Sequence, residues 1–366
     1  MSFVKAGGFR GLQSDSDDIK IDTSGNVAFI NNNIVNKNLL INGGMNVWQR
    51  STSASSLTSN GYHSVDRWQS TIGAIGTWTQ SRSTDVPSDQ GFSYSLKMDC
   101  TAADASPAST DLLIIRQQIE GQNLQHLLKG SSSAKSLTLS FWVKSNKTGT
   151  YVAELQDTDN SRAISKSYTV DSANTWEKKT ITYDGDTTGT LDNDNDDSLH
   201  VLFWLGAGTN YTSGSLQTSW AGSTDVNKAV GQVNLADSTS NEWYITGCQL
   251  EVGENASGFE FEPFSTTENK CMRYYEVSAR SAMGVLTMGP SRNDATQVDA
   301  FIAFKVRKRA TPGVSESGVS FNTNGNISTQ GTRQIDNDGF NTAYILNGNQ
   351  TSYASKNGTY KADAEL

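Results

Sequence analysis

Residues 137–145 read Leu-Thr-Leu-Ser-Phe-Trp-Val-Lys-Ser. Leu137, Leu139, Phe141 and Val143 fall on one side of a two-residue repeat, and Thr138, Ser140, Trp142 and Lys144 on the other. Strict alternation of this kind marks a half-buried antiparallel strand. The apolar side belongs in the core of a sandwich. The polar side carries one large aromatic, Trp142, and an indole on a wet face calls for either a cover or a ligand.

The pattern recurs outward in both directions. Towards the N-terminus, Gly76–Ser83, Phe92–Cys100 and Asp111–Ile119 read as strands. Towards the C-terminus, Thr150–Gln156, Ser167–Val170, Trp176–Tyr183, Ser198–Gly206 and Glu242–Val252 do so. Gly121–Lys129 holds Leu124, Leu127 and Leu128 at helical spacing and predicts a short helix. Short strands joined by turn-rich connections predict an all-β chain whose main body is an antiparallel jelly-roll β-sandwich. Residues 1–36 form an extended N-terminal arm, in which Ile19–Asp22 and Val27–Ile30 pair as a hairpin across Thr23–Asn26. In 37–50 the Gly43-Gly44 pair breaks two apolar segments as a bend. Asp66 and Arg67 are adjacent, so on a strand they point apart and tie down separate backbone near Trp48 and Trp68. Beyond Pro263, Thr266–Tyr275 predicts a helical turn capped by Thr266. Val285–Met288, Gln297–Val306, Val314–Phe321, Gly339–Leu346 and Ser352–Leu366 then form a smaller C-terminal β-sandwich domain. The resulting division is arm 1–36, jelly roll 37–265 and C-terminal β domain 266–366.

Of the 366 residues, 35% are hydrophobic and 18% charged. Both fractions are low for a soluble enzyme, and Gly, Ser, Thr and Asn make up the balance. A net charge of -9 repels phosphate backbones and excludes nucleic acid as a partner unless a local basic patch overrides it. The best such patch, Lys305-Val306-Arg307-Lys308-Arg309, reads as a solvated strand face and turn. Cys100, Cys248 and Cys271 are odd in number and lack Cys-x-x-Cys spacing, so they read as buried thiols of a chain assembled in a reducing cytoplasm. No signal peptide is evident, and no apolar run reaches the ~18 residues that would insert in a membrane.

Several segments together resemble a known family. They are Asn38–Arg50 (Asn-Leu-Leu-Ile-Asn-Gly-Gly-Met-Asn-Val-Trp-Gln-Arg), Asp66-Arg67-Trp68, Gln118–Gly121, Leu139–Lys144, Gln249–Gly253, Met272–Tyr275 and Ala362–Leu366. In order and spacing they are similar to bacteriophage virion proteins described as tail fibres, whose middle domain resembles jelly-roll carbohydrate-binding modules. The family pattern near 271–275 has Gln where this chain has Met272. The resemblance implies a virion structural protein, assembled in the host cytoplasm as a homotrimer. It would be anchored to other virion proteins through residues 1–36 and contribute to host attachment. A receptor-recognition protein for host-surface glycan and a capsid-decoration or head-fibre protein are the alternatives.

No nucleophile elbow, zinc-protease, phosphate-loop or dinucleotide motif is present, and the three histidines leave little for acid–base work. Two carboxylates suffice for a glycosidase, but 38 acidic residues make any nominated pair meaningless. The expectation is a binding protein with no catalytic residues and no cofactor. Asp192–Asp197 fills positions 1, 3 and 5 of a calcium loop, but Asp197 stands where Gly is needed and Phe203 where the bidentate Glu belongs. It therefore reads as a solvated acidic loop, and no metal is assigned. The candidate ligand site is a sugar platform of Trp142, Lys144, Glu154, Gln156, His200 and Trp204 lining one concave sheet. Indoles stack on the C–H faces of sugars while fixed polar groups bond the hydroxyls. The competing reading covers that same face with the N-terminal arm or a sister subunit.

Overall fold

The computed structural model describes residues 19–21, 27–29, 37–278, 297–322, 327–346 and 355–366. In the arm, β1 (Ile19–Ile21) and β2 (Val27–Phe29) pair antiparallel. The body follows as β3 (Ser53–Leu57), β4 (Gln69–Gly73), β5 (Thr77–Ser83), β6 (Ser95–Ala102), β7 (Leu112–Glu120), β8 (Leu137–Ser145), β9 (Gly149–Asp157), β10 (Arg162–Val170), β11 (Glu177–Tyr183) and β12 (Asp197–Ala207). After a single helical turn, α1 (Thr209–Thr212), come β13 (Ala221–Gly222), β14 (Glu242–Val252) and the helix α2 (Phe264–Met272). The C-terminal part holds β15 (Tyr275–Val277), β16 (Gln297–Ala303), β17 (Gly313–Asn322), β18 (Ile327–Arg333), β19 (Gly339–Leu346) and β20 (Ser355–Asp363).

Two antiparallel six-stranded sheets make the body. Sheet I runs β11-β8-β14-β6-β5-β3 and sheet II runs β13-β10-β9-β12-β7-β4. This is the jelly-roll sandwich that the alternating sequence predicts. Leu137, Leu139, Phe141 and Val143 all point into the shared core. There Phe141 meets Phe203 of the opposite sheet edge-on at 5.0 Å, and Phe203 lies 6.2 Å from both Trp68 and Trp243. Each such side chain removed from water contributes on the order of 1.5–3 kcal/mol, which makes this layer the main source of stability. The bend at Gly43 is obligatory, because a Cβ there would sit 2.0 Å from the Cys248 carbonyl oxygen. That close approach lets Gly43 accept the Cys248 N–H and stitches the 37–50 segment to β14.

The C-terminal part pairs β15-β20-β17 and β16-β19-β18 as two three-stranded sheets. Phe304, Phe340, Tyr360 and Ala362 form a core of their own between them. All three cysteines are free and buried. Among the described residues, no helix is long and apolar enough to cross a membrane.

Four local expectations are corrected. Residues 121–129 form two 3-10 turns, Gly121–Asn123 and Gln125–Leu127, and not one α-helix. The Gly121 and Gln122 N–H groups are spent on the Asp196 and Asp194 carbonyls, and Leu128 turns left-handed at φ 51°. The second helix starts at Phe264 with Pro263 at its cap, where the fixed proline φ of -54° sets the entry; Thr266 is inside the helix. Asp66 and Arg67 lie in a turn, with Arg67 at a φ of 72°, instead of on a strand. Lys305–Arg309 is no solvated strand face, since β16 ends at Ala303 and Lys308 is 1% exposed. The strand expected at Val285–Met288 lies outside the described residues.

Candidate functional site

The six residues expected to share one sheet are divided between two. Trp142 and Lys144 stand on the outer face of sheet I, and Glu154, Gln156, His200 and Trp204 on the outer face of sheet II. The two outer faces lie on opposite sides of the sandwich, so the six cannot line one platform. Period-two reasoning gave each residue its correct side of its own strand. It carries no information on which sheet that strand joins.

On sheet II the registers His200↔Gln156 and Leu202↔Glu154 place the four together. The chain's own segment 208–235 packs over Trp204 there. Trp204 is 1% exposed and packs on Ile114, Val152, Leu202 and Ala229, with Tyr211 at 5.4 Å. The cover is pinned by backbone bonds from Val233 N–H to the Thr150 carbonyl and from Ala229 N–H to the Tyr211 carbonyl. Beneath it, Trp204 Nε1 donates to Glu154 Oε2 at 2.8 Å, while Glu154 Oε1 has no partner among the described residues. Burial pushes the Glu154 carboxyl up to about 7. His200 is buried against Asp197, and burial lowers its pKa, leaving a neutral ring near pH 7. Only Gln156 remains half-exposed at the margin.

Sheet I presents a different surface. Trp142 is half-buried between Lys178 and Thr246 on the neighbouring strands, and Lys144 sits opposite Tyr244. Trp176, just before β11, adds a second half-buried indole, whose Nε1 donates to Asp85 Oδ1 at 2.8 Å. Lys144 pairs with the same Asp85 and places its Nζ 4.6 Å from the Tyr244 ring centre. Tyr244 donates to Glu242 Oε2 at 2.7 Å, and Glu242 is held by Lys97. Burial and then the Glu242 hydrogen bond raise the Tyr244 hydroxyl to about 12, so it acts as a neutral donor. Burial works against the Lys97 charge, but the Glu242 hydrogen bond holds its pKa above the usual lysine range. Trp176 and the largely buried Tyr244 are thus fixed in orientation among paired charges, and half-buried Trp142 lies on the same sheet face. Tyr244 was legible in the alternation of Glu242–Val252. Trp176 and Asp85 come from connecting segments, and only the tertiary structure brings them here.

Residues from several of the segments singled out in the sequence meet elsewhere, where the jelly roll adjoins the C-terminal sheets. Arg67, fully buried, pairs with Glu365, donates to the Gln118 carbonyl at 2.7 Å and stacks 3.5 Å from the Tyr274 ring. Arg50 lies 3.6 Å from the Tyr275 ring and reaches Asp66, Asp363 and Glu365. Arg273 grips Glu120 with two bonds of 2.8 and 2.7 Å. Burial works against the Arg67 charge, yet the Glu365 carboxylate holds its pKa raised. Lys308 and Glu276 form a buried pair at 2.7 Å just beyond. The acidic loop also serves this junction: the Asn195 carbonyl and Asp196 take Arg309. Among the described residues, no group of His, Cys, Asp or Glu is arranged to hold a metal ion.

No protein-family model and no curated protein matches the chain. Among solved structures it is similar to the enzymatically active domain of tailspike protein 4 from bacteriophage CBA120, at 15% identity and a TM-score of 0.31, over 59% of this chain and 22% of that one. It is also similar to a family 11 carbohydrate-binding module from Clostridium thermocellum, in complex with a mixed-linked tetrasaccharide, at 12% identity and a TM-score of 0.28, over 57% and 98%. A CBM61 module in complex with β-1,4-galactotriose gives 10% identity and a TM-score of 0.28, over 60% and 99%.

Proposed function

We propose that the chain is a non-catalytic glycan-binding protein of a virion, a tail-fibre or spike component that recognises saccharide on a host surface. The observation that carries the binding role is the outer face of sheet I, where half-buried Trp142 lies beside Trp176 and Tyr244, the latter two held by Asp85, Lys144 and Glu242. Sugar rings stack on such indoles, and the flanking charged groups bond their hydroxyls in a geometry paid for in advance by the fold. The virion role rests on the motif resemblance, five of whose seven segments (38–50, 66–68, 118–121, 272–275 and 362–366) contribute Arg50, Arg67, Glu120, Arg273 and Glu365 to one buried cluster. Anchoring through residues 1–36 and assembly as a homotrimer belong to this reading. A glycan array of bacterial surface saccharides, followed by calorimetry on the best binder, tests it. Trp142→Ala and Trp176→Ala each weaken binding by ~10-fold or more with unchanged circular dichroism, about 1.4 kcal/mol per factor of ten. Undiminished binding by both variants refutes the sheet I site. Labelled antibody on whole particles tests the location, and particles without the chain exclude a virion role.

A further inference from the structure

A second feature lies off both sheet faces, at the end of the sandwich beside α2. There a groove of about 670 Å³ opens between the 46–49 segment, the start of β6 and the first turns of α2. That volume suits a small oligosaccharide. Its lining combines Trp48, Tyr94 and Phe264 with Arg82, Glu268 and Asn46. Trp48 packs one side on the main core, and its Nε1 donates to the Met45 carbonyl at 2.6 Å, so the indole is locked in place. Phe264 is 56% exposed and adds an accessible apolar ring to the groove.

The charges of the groove are unequal in a telling way. Glu262 is taken up by Lys270 and Thr267. Among the described residues neither the Glu268 carboxylate nor the Arg82 guanidinium forms an ion pair, and the Arg82 guanidinium lies 4.4 Å from the Tyr94 ring. One free carboxylate and one free guanidinium thus face the same groove, too far apart to pair with each other. Arg82 is exposed and Glu268 half-buried, so both are open to a ligand, and an opposite charge on the sugar adds a charge-assisted bond that a hydroxyl does not match.

We propose that this groove is a second saccharide site that takes charged sugars: an aromatic-stacked ring with an amino group directed to Glu268 and a carboxylate directed to Arg82. Trp48 supplies the stacking surface, Arg82 the planar fork that matches a carboxylate, and Glu268 the acceptor for an ammonium. The site shares no residue with the sheet I face and does not depend on it.

The test uses the full chain and three tetrasaccharide probes: glucosamine tetramer, tetragalacturonate and neutral maltotetraose, titrated at low salt, where such contacts are least screened. Both charged probes bind, and more tightly than the neutral one. Glu268→Gln weakens the glucosamine probe by ~10-fold and leaves the galacturonate unchanged; Arg82→Gln does the reverse. Trp48→Ala weakens both. Since Trp48 also touches the core, the two surface variants keep the test sound if that protein misfolds. Trp142→Ala with Trp176→Ala leaves all of these affinities unaltered, which separates this site from the sheet I face. Failure of both charged probes to bind, or binding indifferent to Glu268→Gln and Arg82→Gln, overturns the proposal.

Discussion

Trp142 and Trp204 occupy equivalent positions in sequence. Each stands on the polar side of an alternating strand, flanked by residues that point into the same core. In the folded chain their fates differ. Trp204 is sealed under 208–235 with its N–H on Glu154, whereas Trp142 faces outward among lysines, a tyrosine and a second indole. An indole on a wet face needs a cover or a ligand: Trp204 has a cover, and the glycan proposed above would answer for Trp142. The lesson is that the same local pattern is structural where a loop returns over it and available for recognition where none does.

Several measurements break or sharpen this contrast. Trp204→Ala removes a fully buried ring and leaves a cavity beneath the cover, so it destabilises by ~3–5 kcal/mol in denaturant unfolding. A loss below ~1 kcal/mol contradicts a structural role for Trp204. The junction sets the scale from outside both faces: Glu365→Ala strips the buried Arg67 of its carboxylate and costs a similar ~3–5 kcal/mol, with a milder loss when Arg67→Met is added.

Glu154 gives the pH signature of the covered side. Its folded pKa of about 7 lies above the ordinary 4.5, so the native state holds a proton that the unfolded chain releases between those values. Its contribution to stability is therefore complete below pH 4.5 and is lost as pH rises through 7. Glu154→Gln flattens that decline and is more stable than the parent at pH 8 by roughly 1–3 kcal/mol, with little difference at pH 4. A parent whose stability is flat from pH 5 to 8 argues that water or a counter-ion reaches Glu154. The smallest effect belongs to the open side. Trp142→Ala shifts stability by less than ~1 kcal/mol while removing a fluorophore that iodide quenches readily.

Much of the fold was legible because the side-chain period of a strand is two and the core is apolar. Leu96, Met98, Cys100, Tyr151, Ala153, Leu155, Val201 and Phe203 all point where alternation places them. What failed was information that adjacency in sequence does not carry. Trp142 and Glu154 are twelve positions apart yet belong to opposite sheets, because β8 turns across into sheet II as β9. Lys305–Arg309 looked like solvent-facing charge, but Lys308 meets Glu276 and Arg309 meets the Asn195 carbonyl and the Asp196 carboxylate, partners more than thirty positions away along the chain. Arg50, Arg67, Glu120, Arg273, Tyr274 and Glu365, all from segments that carried the resemblance, meet in one buried cluster and not on the sheet I face.

Arg67 and Glu365 are 298 positions apart. This pair joins two regions with cores of their own, so the joint is expected to dock after each of those cores has formed. Until then the Arg67 guanidinium stays hydrated and the Tyr274 and Tyr275 rings are accessible to proteases. A brief protease pulse during refolding therefore nicks near Tyr274 and Tyr275, and the nick disappears once the latch has shut.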